Sequence, residues 1–233
     1  NRAANGAAIM IIPGGGYWVN AWDLEGVDIG RRFLSEGYHV FILNYRLPGH
    51  EQNYDCKVRV ALDDARRGVQ TIRLLADSLG YLTNKVAVMG FSAGGHLAAS
   101  AAIHPLRADT TSAIPAARYS SRPDFSLPIY PVLIMDGTPV GHLGSMKALL
   151  GSEEEYHPQT RAYYDLPLQA HHHVPPTFLV HAEDDKAVPA ENSLRYYQAL
   201  VGHGVPAELH IFPTGGHGFG AAREQKGSVH NWL

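Results

Sequence analysis

Cysteine is nearly absent from this chain: its 233 residues include one, Cys56. A lone thiol excludes an internal disulfide and any zinc framework built on cysteine. Cys56 therefore reads as a small buried hydrophobe, and the lack of disulfides fits a reducing compartment without requiring one. Charge is sparse and balanced as well. Nineteen Lys and Arg stand against twenty-two Asp and Glu, a formal net charge of −3, with no run of one sign longer than three residues. A nucleic-acid groove or a patch for anionic membranes needs clustered Lys and Arg, so neither partner is expected. Apolar residues make up 45% of the chain, yet no apolar run approaches the ~20 residues of a membrane span. No signal peptide opens the sequence either. It starts in Asn1-Arg2 and meets a core-type strand within ten residues, as a processed or trimmed N-terminus would.

What is present is a regular alternation of apolar patterns. Ala7-Ala8-Ile9-Met10-Ile11-Ile12 is a continuous apolar run stopped by Pro13-Gly14-Gly15-Gly16, the mark of a strand buried on both faces. Asp23 is placed to cap a helix carrying Leu24, Val27, Phe33 and Leu34, which Gly37 ends. Further strands are expected at Tyr38 to Leu43, Val86 to Met89, Phe125 to Ile134, Thr177 to Val180 and Glu208 to Phe212. Helical spacing runs from Val58 to about Leu79, from Leu97 to Ile103 and from Ala190 to Val201. Strands alternating with helices imply an α/β fold with a mostly parallel central sheet and helices on both faces. No linker or repeat divides the chain, so residues 1–233 are expected to form a single domain. The stretch from Asp136 to Pro176 shows no pattern and exceeds ordinary loop length; it reads as an irregular insertion that shapes a pocket.

Gly90-Phe91-Ser92-Ala93-Gly94 sits between the strand Val86 to Met89 and the helix that follows. A serine held at a sharp strand-to-helix turn is exposed on strained backbone, and the residues two away on either side must be small. Ser92 is the candidate nucleophile. A serine hydroxyl needs a base to take its proton and an acid to orient that base. His217 follows the last strand in a glycine-rich loop, and the loop after Val180 offers Glu183, Asp184 and Asp185, which spacing alone does not separate. Among the other histidines, His96 reads as local support, His181 as a packing or hydrogen-bonding residue of the acid loop, and His171-His172-His173 as solvated loop. No cofactor and no metal is expected.

Acyl transfer also requires donors aimed at the developing oxyanion. The Ala93 N–H, directly after the nucleophile, is one, and the loop Pro13-Gly14-Gly15-Gly16-Tyr17 is placed to supply the rest. A phosphate loop is disfavoured, because no G-K-[ST] follows and G-x-G-x-x-G spacing is missing.

Taken together, Pro-Gly-Gly-Gly-Tyr at 13–17, Asp23-Leu24-Glu25-Gly26, Asn44-Tyr45-Arg46-Leu47-Pro48, Gly90 to Leu97, Arg122-Pro123-Asp124-Phe125 and Gly215 to Gly220 resemble the α/β-hydrolase superfamily. Within it the chain is similar to bacterial acetyl-xylan-esterase-like carboxylesterases, which are related to hormone-sensitive-lipase-type esterases. The resemblance implies a triad of Ser92, Asp185 and His217, with Gly15, Gly16 and Ala93 as oxyanion donors. It selects Asp185 because the family's acid stands four residues before the Pro of its Val-Pro, here Pro189. Pro13 replaces the histidine that hormone-sensitive-lipase-type esterases carry before the glycines. The family's sheet normally has strands before the one at Ala7, so either a truncated chain or a smaller sheet is expected.

The implied activity is hydrolysis of short-chain esters, acetyl first, on xylan or another acetylated carbohydrate, with feruloyl or general carboxylesterase activity as the alternative. Tyr17, Trp18 and Trp22 follow the donor loop, where their faces either stack on a sugar ring or pack in the core, and Glu153, Glu154 and Glu155 make the insertion polar. The partner is then a small-molecule or oligosaccharide ester, and the family favours a secreted or periplasmic location. A prolyl-oligopeptidase-type peptidase would need a large gating domain. A non-catalytic binding module would have lost part of the Ser, Asp and His set.

Overall fold

The computed structural model describes residues 3–50, 57–151 and 157–233. Cys56 and Glu153 to Glu155 lie outside the described residues. Among the described residues six strands form one sheet in the order β2-β1-β3-β4-β5-β6, and every neighbouring pair is parallel. The strands are β1 (Ala8–Ile12), β2 (His39–Ile42), β3 (Val86–Phe91), β4 (Phe125–Ile129), β5 (Thr177–Ala182) and β6 (Ala207–Phe212). The helices are α1 (Asp28–Ser35), α2 (Lys57–Leu79), α3 (Ala93–Ile103), α4 (Leu143–Leu150), α5 (Pro158–Tyr164) and α6 (Glu191–Gly202). The mostly parallel α/β sheet expected from the alternation is the one observed.

Strand geometry sorts the side chains to two faces, since successive residues point opposite ways. Ala8, Met10, Ile12, Val86 and Val88 pack with Ala61, Ala65, Val69 and Ile72 of α2 and with Leu97 and Ala101 of α3. Their neighbours Ile9, Ile11, Met89 and Phe91 pack on the other face against Ile29 of α1 and against Phe219 and Val229 of the C-terminal segment. Tyr196 and Leu200 of α6 join Ala99 and Ile103 of α3 around Leu179. Helices therefore cover both faces, and β1 is buried along its whole length.

Three local expectations are corrected. The segment after Asn20 begins as a π-helical turn over Trp22–Val27 that runs into α1. Asp23 lies inside that turn and caps nothing; the residue before it is Ala21, without a side-chain cap. β4 stops at Ile129 and does not continue to Ile134. Tyr130 adopts φ 35°, and the following backbone leaves the sheet. Its N–H groups find side-chain acceptors instead: Leu133 and Ile134 donate to Asn192 Oδ1 at 2.9 and 3.0 Å, and Met135 to Asp165 Oδ2 at 3.2 Å. The stretch 136–176 is not irregular, for it contains α4, α5 and a 3₁₀ turn at Leu166–Gln169. α4 starts where the His142 ring accepts the Ser145 N–H, and α5 starts at Pro158, a favoured first helical residue.

In a parallel sheet, ligands gather beyond the carboxyl ends of the strands where the strand order reverses. Here the chain passes from β1 out to β2 and returns to β3 on the other side. The glycine loop after β1 and the turn after β3 meet at that point.

Candidate active site

Ser92 occupies the turn between β3 and α3 with φ 53° and ψ −118°, a conformation that a non-glycine residue holds only under surrounding constraint. The constraint is steric. A Cβ on Gly90 would lie 2.0 Å from the Gly94 carbonyl oxygen, and one on Gly94 would lie 2.2 Å from the Ile12 carbonyl oxygen. Only glycine lets the strand, the helix and β1 approach this closely.

The Ser92 hydroxyl donates to His217 Nε2 at 2.8 Å, and His217 Nδ1 donates to Asp185 Oδ2 at 2.7 Å. The other Asp185 oxygen accepts the N–H groups of Ala187 at 3.0 Å and Val188 at 2.8 Å. Burial pushes the Asp185 carboxyl up, but hydrogen bonds from His181, His217 and Val188 outweigh it and hold the group well below the usual carboxylate range. Asp184 does different work: its carboxylate accepts the Gly216 N–H at 2.7 Å and pins the loop beside the histidine. Glu183 is exposed. His181 is fully buried; its single Nε2–H is shared between the Val188 carbonyl at 2.9 Å and Asp185 Oδ2 at 3.3 Å, which leaves Nδ1 to accept the Ser193 hydroxyl at 2.7 Å.

The glycine loop is held tightly. The Gly14 carbonyl accepts the Ala21 N–H at 2.9 Å, while the Gly14 N–H donates to Glu25 Oε2 at 2.8 Å. The N–H groups of Gly15, Gly16 and Ala93 make no hydrogen bond among the described residues. Gly15 and Gly16 both have positive φ, 121° and 65°, and a Cβ on Gly15 would strike the Val19 carbonyl oxygen at 2.2 Å. Two donors of the glycine loop and one of the nucleophile turn are therefore unengaged among the described residues.

Tyr17 is not available to a ligand, which corrects the expectation that it binds substrate. It is 1% exposed, and its hydroxyl donates to His96 Nδ1 at 2.7 Å. His96 is forced into that accepting role because its Nε2–H is given to the Tyr164 carbonyl at 2.9 Å. Burial pushes the His96 imidazole down to about 4, so it is neutral at neutral pH. Trp18 and Trp22, by contrast, are 48% and 40% exposed. The helices of 143–170 also reach the site. Ser145 Oγ is 3.7 Å from where a Gly16 Cβ would be, and its partner His142, 2.8 Å away, is pushed down by partial burial and by the charge of His217.

Sequence reasoning left Glu25, Tyr130, His142 and Ser145 without roles. The only signal was Asp23-Leu24-Glu25-Gly26, whose pattern carries no chemistry of its own. Among the described residues, no three His, Cys, Asp or Glu side chains are grouped to hold a metal, and His171 Nε2 is given to the Ile103 carbonyl at 2.9 Å. No helix among them is long and apolar enough to cross a membrane. An apolar cavity of about 560 Å³, lined by residues such as Phe33, Leu127 and Phe178, opens around the amino ends of the strands, away from Ser92.

The arrangement has a definite chemical capacity. A proton can pass from Ser92 Oγ to His217 Nε2 while Asp185 stabilises the imidazolium.

Comparison with known proteins agrees with this architecture. The family model BD-FAE matches residues 1–200. An acetylxylan esterase of Xylanibacter ruminicola is 34% identical over 218 residues, which is 93% of this chain and 42% of that protein. Endo-1,4-beta-xylanase B of Butyrivibrio fibrisolvens is 32% identical over 224 residues, 93% of this chain and 33% of its own length. The chain thus spans less than half of either relative. The crystal structure of an acetyl ester-xyloside bifunctional hydrolase from Caldicellulosiruptor lactoaceticus superposes with a TM-score of 0.90 at 37% identity, covering 100% of this chain and 81% of that one.

Proposed function

The chain belongs to the BD-FAE family, in an α/β-hydrolase fold, and from that premise we propose that it is a serine carboxylesterase that removes short acyl groups, acetyl above all, from xylan or another acetylated carbohydrate. The observation that carries this reading is the Ser92–His217–Asp185 hydrogen-bond chain set beside three unengaged N–H groups.

Ser92 Oγ attacks the ester carbonyl carbon as His217 Nε2 takes the hydroxyl proton. The negative oxygen of the tetrahedral intermediate is received by the N–H groups of Gly15, Gly16 and Ala93. His217 then gives its proton to the departing sugar oxygen, which leaves an acyl-serine. Water repeats the sequence with His217 as base and frees the acid and Ser92. Asp185 keeps Nδ1 protonated throughout, so that Nε2 is the nitrogen facing Ser92.

The substrate class is supported by the relatives, an acetylxylan esterase and an acetyl ester-xyloside hydrolase. It is also supported by the exposed faces of Trp18 and Trp22 just past the donor loop, where a sugar ring can stack. The helices of 143–170 shape the acyl side of the pocket through His142 and Ser145.

A fluorophosphonate probe tests the reading. Wild-type protein is expected to be labelled and to deacetylate acetylated xylo-oligosaccharides. Ser92→Ala is expected to be unlabelled, folded and slower in kcat by roughly 10⁴-fold or more. Retention of more than about a tenth of the activity would overturn the nucleophile assignment.

A further inference from the structure

Glu25 is a carboxylate buried under the donor loop. It is 4% exposed and sits in the π-helical turn Trp22–Val27, a wide turn of the kind often found at functional sites. Both of its oxygens are engaged. Oε2 accepts the Gly14 N–H at 2.8 Å, and Oε1 accepts the Tyr130 hydroxyl at 2.9 Å. The Tyr130 oxygen in turn accepts the Gly220 N–H at 2.9 Å, and the Tyr130 ring stands edge-on to His217 with centroids 5.2 Å apart. One side chain thus ties together the loop after β1, the backbone leaving β4 and the loop that carries His217.

The fit at Gly14 shows how close this tie lies to the reacting groups. A Cβ there would be 2.5 Å from the Phe91 carbonyl oxygen, 2.7 Å from Glu25 Oε2 and 2.9 Å from Ser92 Cβ. Gly14 is therefore wedged between the carboxylate and the nucleophile turn. Its N–H is spent on Glu25, and the next two N–H groups in the chain are the proposed oxyanion donors. Tyr130 holds φ 35°, strained backbone for a bulky residue that persists where the surroundings over-determine it.

Burying a carboxylate is unfavourable unless its oxygens are satisfied. Burial raises the Glu25 carboxyl above the usual carboxylate range, and the Tyr130 and Gly14 hydrogen bonds and the nearby charge of His217 offset that rise only in part. A core position with no further purpose is filled more simply by an apolar side chain.

We propose that Glu25 is a positioning residue for ester hydrolysis: acting through Gly14 and Tyr130, it holds the oxyanion loop in register with Ser92 and with the His217 loop. The proposal rests on the esterase reading and adds a residue that touches neither substrate nor the reacting atoms. Misplacing donors by a fraction of an ångström weakens transition-state binding more than substrate binding, and that difference is what the test reads.

Glu25→Gln preserves shape but removes the charge and exchanges one acceptor for an NH₂ group, which opposes the Gly14 N–H or, facing Tyr130, turns that hydroxyl from donor to acceptor and breaks the charge-assisted bond. Rates with p-nitrophenyl acetate are measured per site titrated by fluorophosphonate, which removes any loss due to misfolded protein. We expect kcat to fall about 10- to 100-fold while KM stays within about twofold. The Ki of a trifluoromethyl ketone, whose hemiketal oxyanion uses the same donors, rises by the same factor as kcat/KM falls. Tyr130→Phe cuts the tie to Gly220 and leaves the Gly14 bond, so it moves both quantities in the same direction by less. A folded Glu25→Gln with wild-type kcat per titrated site overturns the proposal, as does a loss expressed only in KM or only in fewer labelled sites. If Glu25→Gln does not fold, Tyr130→Phe decides by the same criteria. Wild-type protein that neither labels nor hydrolyses any ester would instead overturn the esterase reading, and the positioning role with it.

Discussion

Three acidic residues stand in a row at 183–185, and a shift of one residue separates different outcomes. Asp185 reaches His217 at 2.7 Å, whereas Asp184 reaches only the Gly216 N–H beside it. Asp185→Asn is expected to lose far more kcat than Asp184→Asn. An amide at 185 presents the wrong hydrogen-bonding group to Nδ1, and the comparable exchange in a known triad costs about 10⁴-fold. An amide at 184 can still accept the Gly216 N–H through its oxygen. Steady-state kinetics of the two variants checks this, and a larger loss at 184 would reverse the assignment. The same residue carries a pH signature. Its folded pKa lies below the unfolded value of about 3.9. The stability it contributes is therefore present above that pH and is lost as pH falls toward the folded value. Urea unfolding at about pH 6 and about pH 3 should show wild type losing its advantage over Asp185→Asn on acidification.

At the scale of elements, short pieces depend on side chains from elsewhere, and that is why sequence patterns read them poorly. α4 and α5 are 8 and 7 residues long, too short to persist without tertiary packing, so no long periodic run announces them. The apolar run 132–135 resembles a continuing strand, but the Val132 N–H is taken by the Ser92 carbonyl and those of 133–135 by Asn192 and Asp165. Arg73 of α2 shows the same dependence on the opposite side of the molecule. It donates to the carbonyls of Thr83, Ser120 and Arg122 and to the Asp124 carboxylate at 3.1 Å, while Asp124 also accepts the N–H of Val86 at 2.8 Å. This knot joins α2 to the starts of β3 and β4. Arg73→Met should keep the packing of the stem and orphan several acceptors, a loss of about 2–4 kcal/mol. Denaturant unfolding measures it. Because the knot touches no part of the site, kcat per titrated site should stay at the wild-type value.

For the molecule as a whole, the sheet order brings four loops to one end: those after β1, β3, β5 and β6. Every group in the proposed reaction comes from these loops, so hydrolysis is expected to proceed unchanged in the presence of a chelator. Acyl preference follows from what lines the oxyanion loop. A buried methylene gains about 0.8 kcal/mol only where an apolar wall receives it, and the atoms nearest a Gly16 Cβ are Ser145 Oγ, hydrogen-bonded to His142, and one edge of the half-exposed Trp18 ring, both at 3.7 Å. Acetate and propionate esters should therefore exceed octanoate in kcat/KM, measured over a series of p-nitrophenyl esters with feruloyl and acetyl xylo-oligosaccharides beside it. A preference for octanoate, or loss of activity in chelator, would contradict this account.

The residues that sequence alone determined are those whose reason is local. Ala8 to Ile12 must be a doubly buried strand because no residue in it is polar, and Gly90 and Gly94 must flank Ser92 because nothing larger passes the helix and β1. Gly215-Gly216-His217 after a strand likewise limits where a base can stand. Tertiary structure decided what depends on the register of one loop against another. It separated Asp185 from Asp184, gave the Gly14 N–H to Glu25 while leaving those of Gly15 and Gly16 open, and turned the Tyr17 ring into the core toward His96 while Trp18 stayed outside. Residues 25, 130 and 220 are far apart in the chain, and no spacing rule joins them. Their meeting under the glycine loop arises only when β1, β4 and the last loop pack at one end of the sheet, because hydrogen bonds of 2.8–2.9 Å are specified by that packing and not by local periodicity.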